Sequence, residues 1–259
     1  MEECREEGKK FQKLVDIMAR LRKECPWDKE QTNQSIKNNL IEEAYELLEA
    51  IEENNDEAMI EELGDLLLQV VFHSQIKKDE GKFDINDVLN RLIEKLIRRH
   101  PHVFGGEDYS KLEGKDHLDK WEKIKEKEKK RESILEGIPK RMPALHRAVK
   151  VQKRMAKVGF DWKNPEEVWE KVMEEINELK KAKTEEEIKH EIGDVLIAIT
   201  NLARAYGVDP EEALHKSIDR TVNRFKYIEK KAKEEKKDLK EMSLEYMDKL
   251  WEEAKSKGL

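Results

Sequence analysis

Two acidic sets recur along this chain. Glu42-Glu43-x-x-Glu46 precedes Glu62-x-x-Asp65, and Glu174-Glu175-x-x-Glu178 precedes Glu191-x-x-Asp194. Within each set the inner acids are spaced three apart, so on a helix Glu43 and Glu46 share a face, as do Glu62 and Asp65, Glu175 and Glu178, and Glu191 and Asp194. Four carboxylates drawn together in partly desolvated surroundings repel one another and must bind protons or recruit cations. An all-oxygen ligand set suits a hard divalent ion, and Mg²⁺ in such a set keeps positions open for water and phosphate oxygens. The chemistry expected is metal-assisted attack on a polyphosphate.

Positioning eight carboxylates this way requires helices. In "IKNNLIEEAYELLEAIEE" the residues Ile36, Leu40, Ala44, Leu47 and Ile51 form an apolar stripe with Glu43 and Glu46 at its edge. In the following helix, about Glu57 to Lys78, Leu63, Leu66, Leu67 and Val70 form the stripe, flanked by Glu62 and Asp65. Thr32 or Ser35 is the expected cap of the first of these helices, and "NND" its stop. Gly64 and Gly193 each stand between two acids and leave room there for a neighbouring helix or a ligand. If the helices of each set pack antiparallel, the four inner carboxylates meet at the seam.

With 59 acidic residues in 259, composition alone produces this bare pattern more than once. Its position at the edge of an apolar stripe, the shared glycine and the ordered recurrence in both halves set it apart. "EEAYE" recurs as "EEINE" 132 residues later, and "ELGDLL" as "EIGDVL" 129 residues later, so the second copy has three residues fewer between its motifs. A shorter inter-helix loop is expected to absorb them. Trp27-Asp28 and Asp161-Trp162 precede the two copies, and "GIPKRMP" separates them. The expected architecture is all-α, two tandem related helical-bundle domains, residues 1–132 and 133–259. Further helices are expected near 165–183, 186–206, 210–236 and 243–256, and the charged run 118–132 reads as an exposed helix tail.

Charged residues make up 43% of the chain and aromatics 6%, which favours long solvated helices over sheets. The net charge of −7 argues against stable nucleic-acid binding. No apolar run approaches the roughly 18 residues that span a bilayer, and the N-terminus lacks an apolar signal segment, so a cytoplasmic protein without membrane association is expected. Cys25 reads as a small buried residue. His100 and His102 beside "VFGG" read as a turn, because no ligand spacing accompanies them.

"CPWDKEQT", "EEAYE", "ELGD" and "RRHPHVF", with "VGFDW" and the second acidic motif, resemble the MazG family of nucleoside triphosphate pyrophosphohydrolases, within the all-α NTP pyrophosphatase superfamily. The resemblance runs from about residue 11 to the C-terminus. It implies Mg²⁺-dependent cleavage between the α and β phosphates, giving a nucleoside monophosphate and pyrophosphate, with Mn²⁺ as a substitute ion. Glu43, Glu46, Glu62 and Asp65 would hold metal in one domain and Glu175, Glu178, Glu191 and Asp194 in the other. Glu42 and Glu174, rotated away from the inner pairs, would orient water or support the ligands. Arg98, Arg99 and Lys125 match the family's phosphate contacts in the first domain, and Arg220, Arg224, Trp251 and Lys255 its phosphate and base contacts in the second. The superfamily completes its helical bundles by dimerisation, so a homodimer is expected.

Two other readings compete. "EIKH" (Glu187 to His190) and "EALH" (Glu212 to His215) are Glu-x-x-His pairs of the kind a ferritin-like di-iron protein uses. Alternatively, the clusters bind cations or a basic partner in a non-catalytic helical module.

Overall fold

The structure, a computed structural model, describes residues 2–105 and 132–259. Every regular element among them is helical, and the chain divides into two compact units, Met1–Lys129 and Lys130–Leu259.

The first unit contains α1 (Glu2–Glu24), α2 (Asn39–Glu52), α3 (Asp56–Asp79), α4 (Ile85–Arg99) and the single turn α5 (Pro101–Phe104). Its core joins Val15 and Met18 of α1, Ile36, Val71, Phe72 and Ile76 of α3, and Ile85 at the start of α4. Arg22 is nearly buried and stitches α1 to the turn that follows. Its guanidinium pairs with Asp79 at 2.8 Å, donates to the carbonyls of Asp28 and Gln31, and lies over the Phe72 ring. This is what the "CPWDKEQT" stretch does structurally: two of its carbonyls accept from a nearly buried arginine.

Thr32 and Ser35 do not cap α2. They bond each other's backbone in a local turn, and α2 begins later, at Asn39, with no side-chain cap. Short hydroxyl side chains satisfy nearby backbone groups as readily in a turn as at a helix end. Asn54, in the left-handed region at φ 51°, closes the α2–α3 loop, and Asn55 caps α3. Asp84 caps α4 in a reciprocal capping box with Asp87.

The second unit contains α6 (Ala144–Ala156), α7 (Pro165–Lys181), α8 (Glu185–Ala205), α9 (Pro210–Glu234) and α10 (Leu244–Ser256). Val168 and Val172 of α7 pack on Ala198 and Leu202 of α8, and a separate cluster joins Ile228 and Ala232 of α9 to Met242 and Leu250. Gln152 of α6 donates to the Ile197 carbonyl, and Arg204 makes a two-pronged pair with Asp161. A Thr184–Glu187 capping box starts α8.

Both acidic hairpins turn through loops of the same length, 53–55 and 182–184, so the expected shorter loop is not found. The three-residue difference lies in the helix. α2 runs six residues past Glu46, whereas α7 stops three residues past Glu178.

The apolar stripe expected on α3 points the other way. Leu63, Leu67 and Val70 are 51%, 41% and 41% exposed, and the buried face carries Gln69, Phe72 and Ile76. This helix is apolar on two sides, and a helical wheel alone does not say which side the chain covers. Ile41, Tyr45, Leu48 and Ile51 of α2 and Ile60 of α3 are exposed as well.

Candidate metal centres

α2 and α3 bring the first acids together at their seam. Glu43, Glu62 and Asp65 each offer an oxygen within 4.8 Å of the others, all three half-buried. Burial, followed by the charges of Asp65 and Glu46, holds the Glu43 carboxyl above its ordinary value. Burial and then the Glu46 charge do the same for Glu62. Glu46 is therefore electrostatically part of the cluster. Among the described residues one hydrogen bond enters it, and it is neutral, from the Gln69 amide to Glu43 at 3.3 Å.

The second cluster groups differently. Glu175, Glu178 and Glu191 share one 4.8 Å neighbourhood, while Asp194 belongs to another with Glu191 and His190. The helix lengths account for this. In an antiparallel hairpin, residues equally far from the loop centre stand at the same height. By that rule Glu46 is level with Glu62 and Glu43 with Asp65, matching the dominant charge partners of Glu43 and Glu62. In the second hairpin Glu191 is level with Glu175, and Asp194 stands about a turn beyond.

Glu175 is buried and its carboxylate meets Lys171 Nζ at 2.7 Å; the same ammonium reaches Glu174 at 3.0 Å. Those two hydrogen bonds hold Lys171 well above the usual lysine range, so it stays charged. His190 Nδ1 lies 3.0 Å from Asp194. Lys171 is the participant that sequence reasoning missed. Its signal was its place one helical turn before Glu175, where i,i+4 contact is expected, but 52 basic residues make that spacing common.

An oxygen-only donor set fits a hard divalent ion, and one atom in each cluster argues for it. Glu62 Oε2 and Glu191 Oε2 are buried without a hydrogen-bond partner. A buried carboxylate oxygen left unpaired is costly, and a cation satisfies it. Added Cβ atoms at Gly64 and Gly193 meet nothing within 4 Å, so among the described residues no neighbouring element uses the room they leave.

The remaining expected positions are spread more widely. Glu42 is exposed beside Glu43, and Glu174 and Glu178 line an open hollow walled by Trp169, Met173, Asn177 and Lys181. Arg98 and Arg99 occupy the last turn of α4, and His100 ends that helix with its ring against the Leu96 carbonyl, as a turn residue. Lys125 and the charged run around it lie outside the described residues. Arg224 stacks on Trp251 at 5.5 Å and donates to the Leu259 carbonyl, while Trp251 itself packs at the edge of the α9–α10 core. Arg220 bonds Ser217, and Lys255 pairs with Glu252 on the surface. Among the described residues no recorded contact joins these four to the acids of α7 and α8.

The Glu-x-x-His pairs are not formed. Glu187 is engaged in the α8 capping box, and Glu212 pairs with Lys216.

Residues 31–104 match the MazG nucleotide pyrophosphohydrolase domain and residues 162–242 the MazG-like family. The chain is 49% identical over 258 residues to the Thermotoga maritima protein named nucleoside triphosphate pyrophosphohydrolase/pyrophosphatase MazG, covering 97% of this chain and 98% of that one. It is 42% identical over 254 residues to the nucleoside triphosphate pyrophosphohydrolase of Escherichia coli K12, covering 94% and 96% respectively. The Mycobacterium tuberculosis protein of the same name is 43% identical over 155 residues, 59% of this chain and 47% of that one.

Proposed function

The chain belongs to the MazG family, and from that premise we propose that it hydrolyses nucleoside triphosphates between the α and β phosphates, with Mg²⁺ or Mn²⁺ held by its two carboxylate clusters. Water adds its oxygen to the α phosphorus and the bond to the bridging oxygen breaks, leaving a nucleoside monophosphate and pyrophosphate. The observation that carries this reading is the pair of hairpins, each gathering three carboxylates within 4.8 Å around a buried, unpaired oxygen.

Glu43, Glu46, Glu62 and Asp65 are assigned as the ligands of one centre, and Glu175, Glu178, Glu191 and Asp194 of the other. An ion held there would supply charge neutralisation for the triphosphate and a more acidic bound water. Glu42 and Glu174 stand next to those ligands and are assigned to orient the attacking water. Arg98, Arg99 and Lys125 in the first domain, 1–132, and Arg220, Arg224 and Lys255 in the second, 133–259, are assigned to the phosphates. They suit it as charge-assisted donors, and Trp251 offers a ring face for a base. The exposed apolar rows of α2 and α3 support a homodimer in which a second copy covers them. No helix among the described residues is long and apolar enough to cross a membrane, which is consistent with a cytoplasmic enzyme.

Incubation with a nucleoside triphosphate and Mg²⁺, followed by ³¹P NMR, tests the reaction. Pyrophosphate and monophosphate are expected in equal amounts, neither appearing with EDTA. Orthophosphate with a nucleoside diphosphate instead would rule out cleavage at the α phosphorus. Glu43→Gln and Glu175→Gln, assayed separately, identify which centre turns over substrate: loss of 100-fold or more marks the working one.

A further inference from the structure

The two centres carry matching acids and unmatched counter-charges. The position 132 residues before Lys171 is Asn39, a neutral residue at the start of α2. Among the described residues no ion pair reaches Glu43, Glu46, Glu62 or Asp65, and the only side chain bonded to Glu43 is the Gln69 amide. At the other centre an ammonium stands 2.7 Å from Glu175 and 3.0 Å from Glu174, and an imidazole occupies one oxygen of Asp194. The shorter α7 also changes which acids meet: three share one neighbourhood at each centre, but at the second Glu178 takes the place that Asp65 holds at the first, and Asp194 groups instead with His190.

We infer that the two centres load divalent cations unequally: the Glu43 centre takes up the ion first, while Lys171 stands in for the cation at the Glu175 centre and must be displaced. This rests on the reading of both clusters as cation centres. The physical argument is competition for the same oxygens. A divalent ion approaching Glu175 meets a fixed positive charge that either leaves its carboxylate or remains within a few ångströms. A unit charge left about 4 Å from a divalent ion weakens its binding on the order of tenfold or more even at high dielectric. Among the described residues the ion at the Glu43 centre meets repelling carboxylates and a neutral amide, so binding relieves repulsion there without displacing a described charge.

The test uses Mn²⁺ as probe on the full metal-free chain, with free Mn²⁺ read from its solution EPR signal. Two classes of site are expected, at least tenfold apart in affinity. Glu43→Gln with Glu62→Gln should remove the tight class and Glu175→Gln with Glu191→Gln the weak one. Lys171→Met should tighten the weak class about tenfold, and Lys171→Arg should leave it weak. The reciprocal change Asn39→Lys should weaken the tight class by a similar factor. Two classes of equal affinity, or a weak class unmoved by Lys171→Met in a protein of unchanged helix content, would overturn the inference while leaving the cation centres standing. A wild-type chain that binds no Mn²⁺ would overturn the reading of the centres themselves.

Discussion

Buried polar atoms at single residues make separate demands on this fold. His73 is one: Asn33 donates to its backbone carbonyl and lies 2.6 Å from its Nδ1, its Nε2 is buried without a partner, and burial holds its pKa below the ordinary histidine value. The sign follows from linkage. A histidine that protonates more easily in the unfolded chain withdraws stability as pH falls below its unfolded value, about 6.5, and continues to do so down to the folded value. Urea unfolding midpoints should therefore drop between pH 7 and pH 5 in the wild type and drop less in His73→Gln. Equal slopes would exclude His73 as the source. Arg22 makes the opposite demand: its nearly buried guanidinium serves the Asp79 carboxylate and two part-buried carbonyls at once. Arg22→Met should cost about 3 kcal/mol of unfolding free energy, read as a lower urea midpoint. That Glu43, Glu62 and Asp65, and Glu175, Glu178 and Glu191, come together was legible in sequence because carboxylate type, spacing and recurrence coincide. Lys171 was not, because nothing in a lysine's spacing says which of several acids it will fold onto.

Among elements, α3 is the instructive one. Its acids and its length were readable from sequence, but the side it buries was not. Leu68, Phe72 and Ile76 compete with Leu63, Leu67 and Val70 for the core, and the choice falls to contacts with α1 and Ile36 that no local pattern encodes. The exposed row is the surface assigned to the dimer. Covering one leucine contributes about 1.5–3 kcal/mol, and a charge placed there opposes burial. Leu67→Glu should weaken the dimer at least tenfold, seen as a shift toward monomer mass in light scattering at constant helix content. An unchanged mass would move the interface elsewhere. The α2 cap was misread for a related reason: Thr32 and Ser35 have the right chemistry for a helix start, and the backbone spends it on a turn three residues too early.

At the scale of the whole chain, duplication was readable and its consequence was not. Two stretches match one family, and two compact units carry one hairpin each. If residues 133–259 form an independent domain, that piece alone should fold cooperatively and bind Mn²⁺ with the weaker affinity, as thermal melting with and without the ion would reveal. The missing three residues matter more than their number suggests. A deletion in a loop alters a tether, whereas one near the end of a helix slides every residue before it along its partner by about 4.5 Å. In the vocabulary of inheritance, a difference of three codons just past Glu178, altering no acid, re-registers one twin site against the other. Alignment of the acidic letters would score the twins as equivalent. Returning three helical residues after Lys181 is then a way to ask whether the second site can be made to repeat the first.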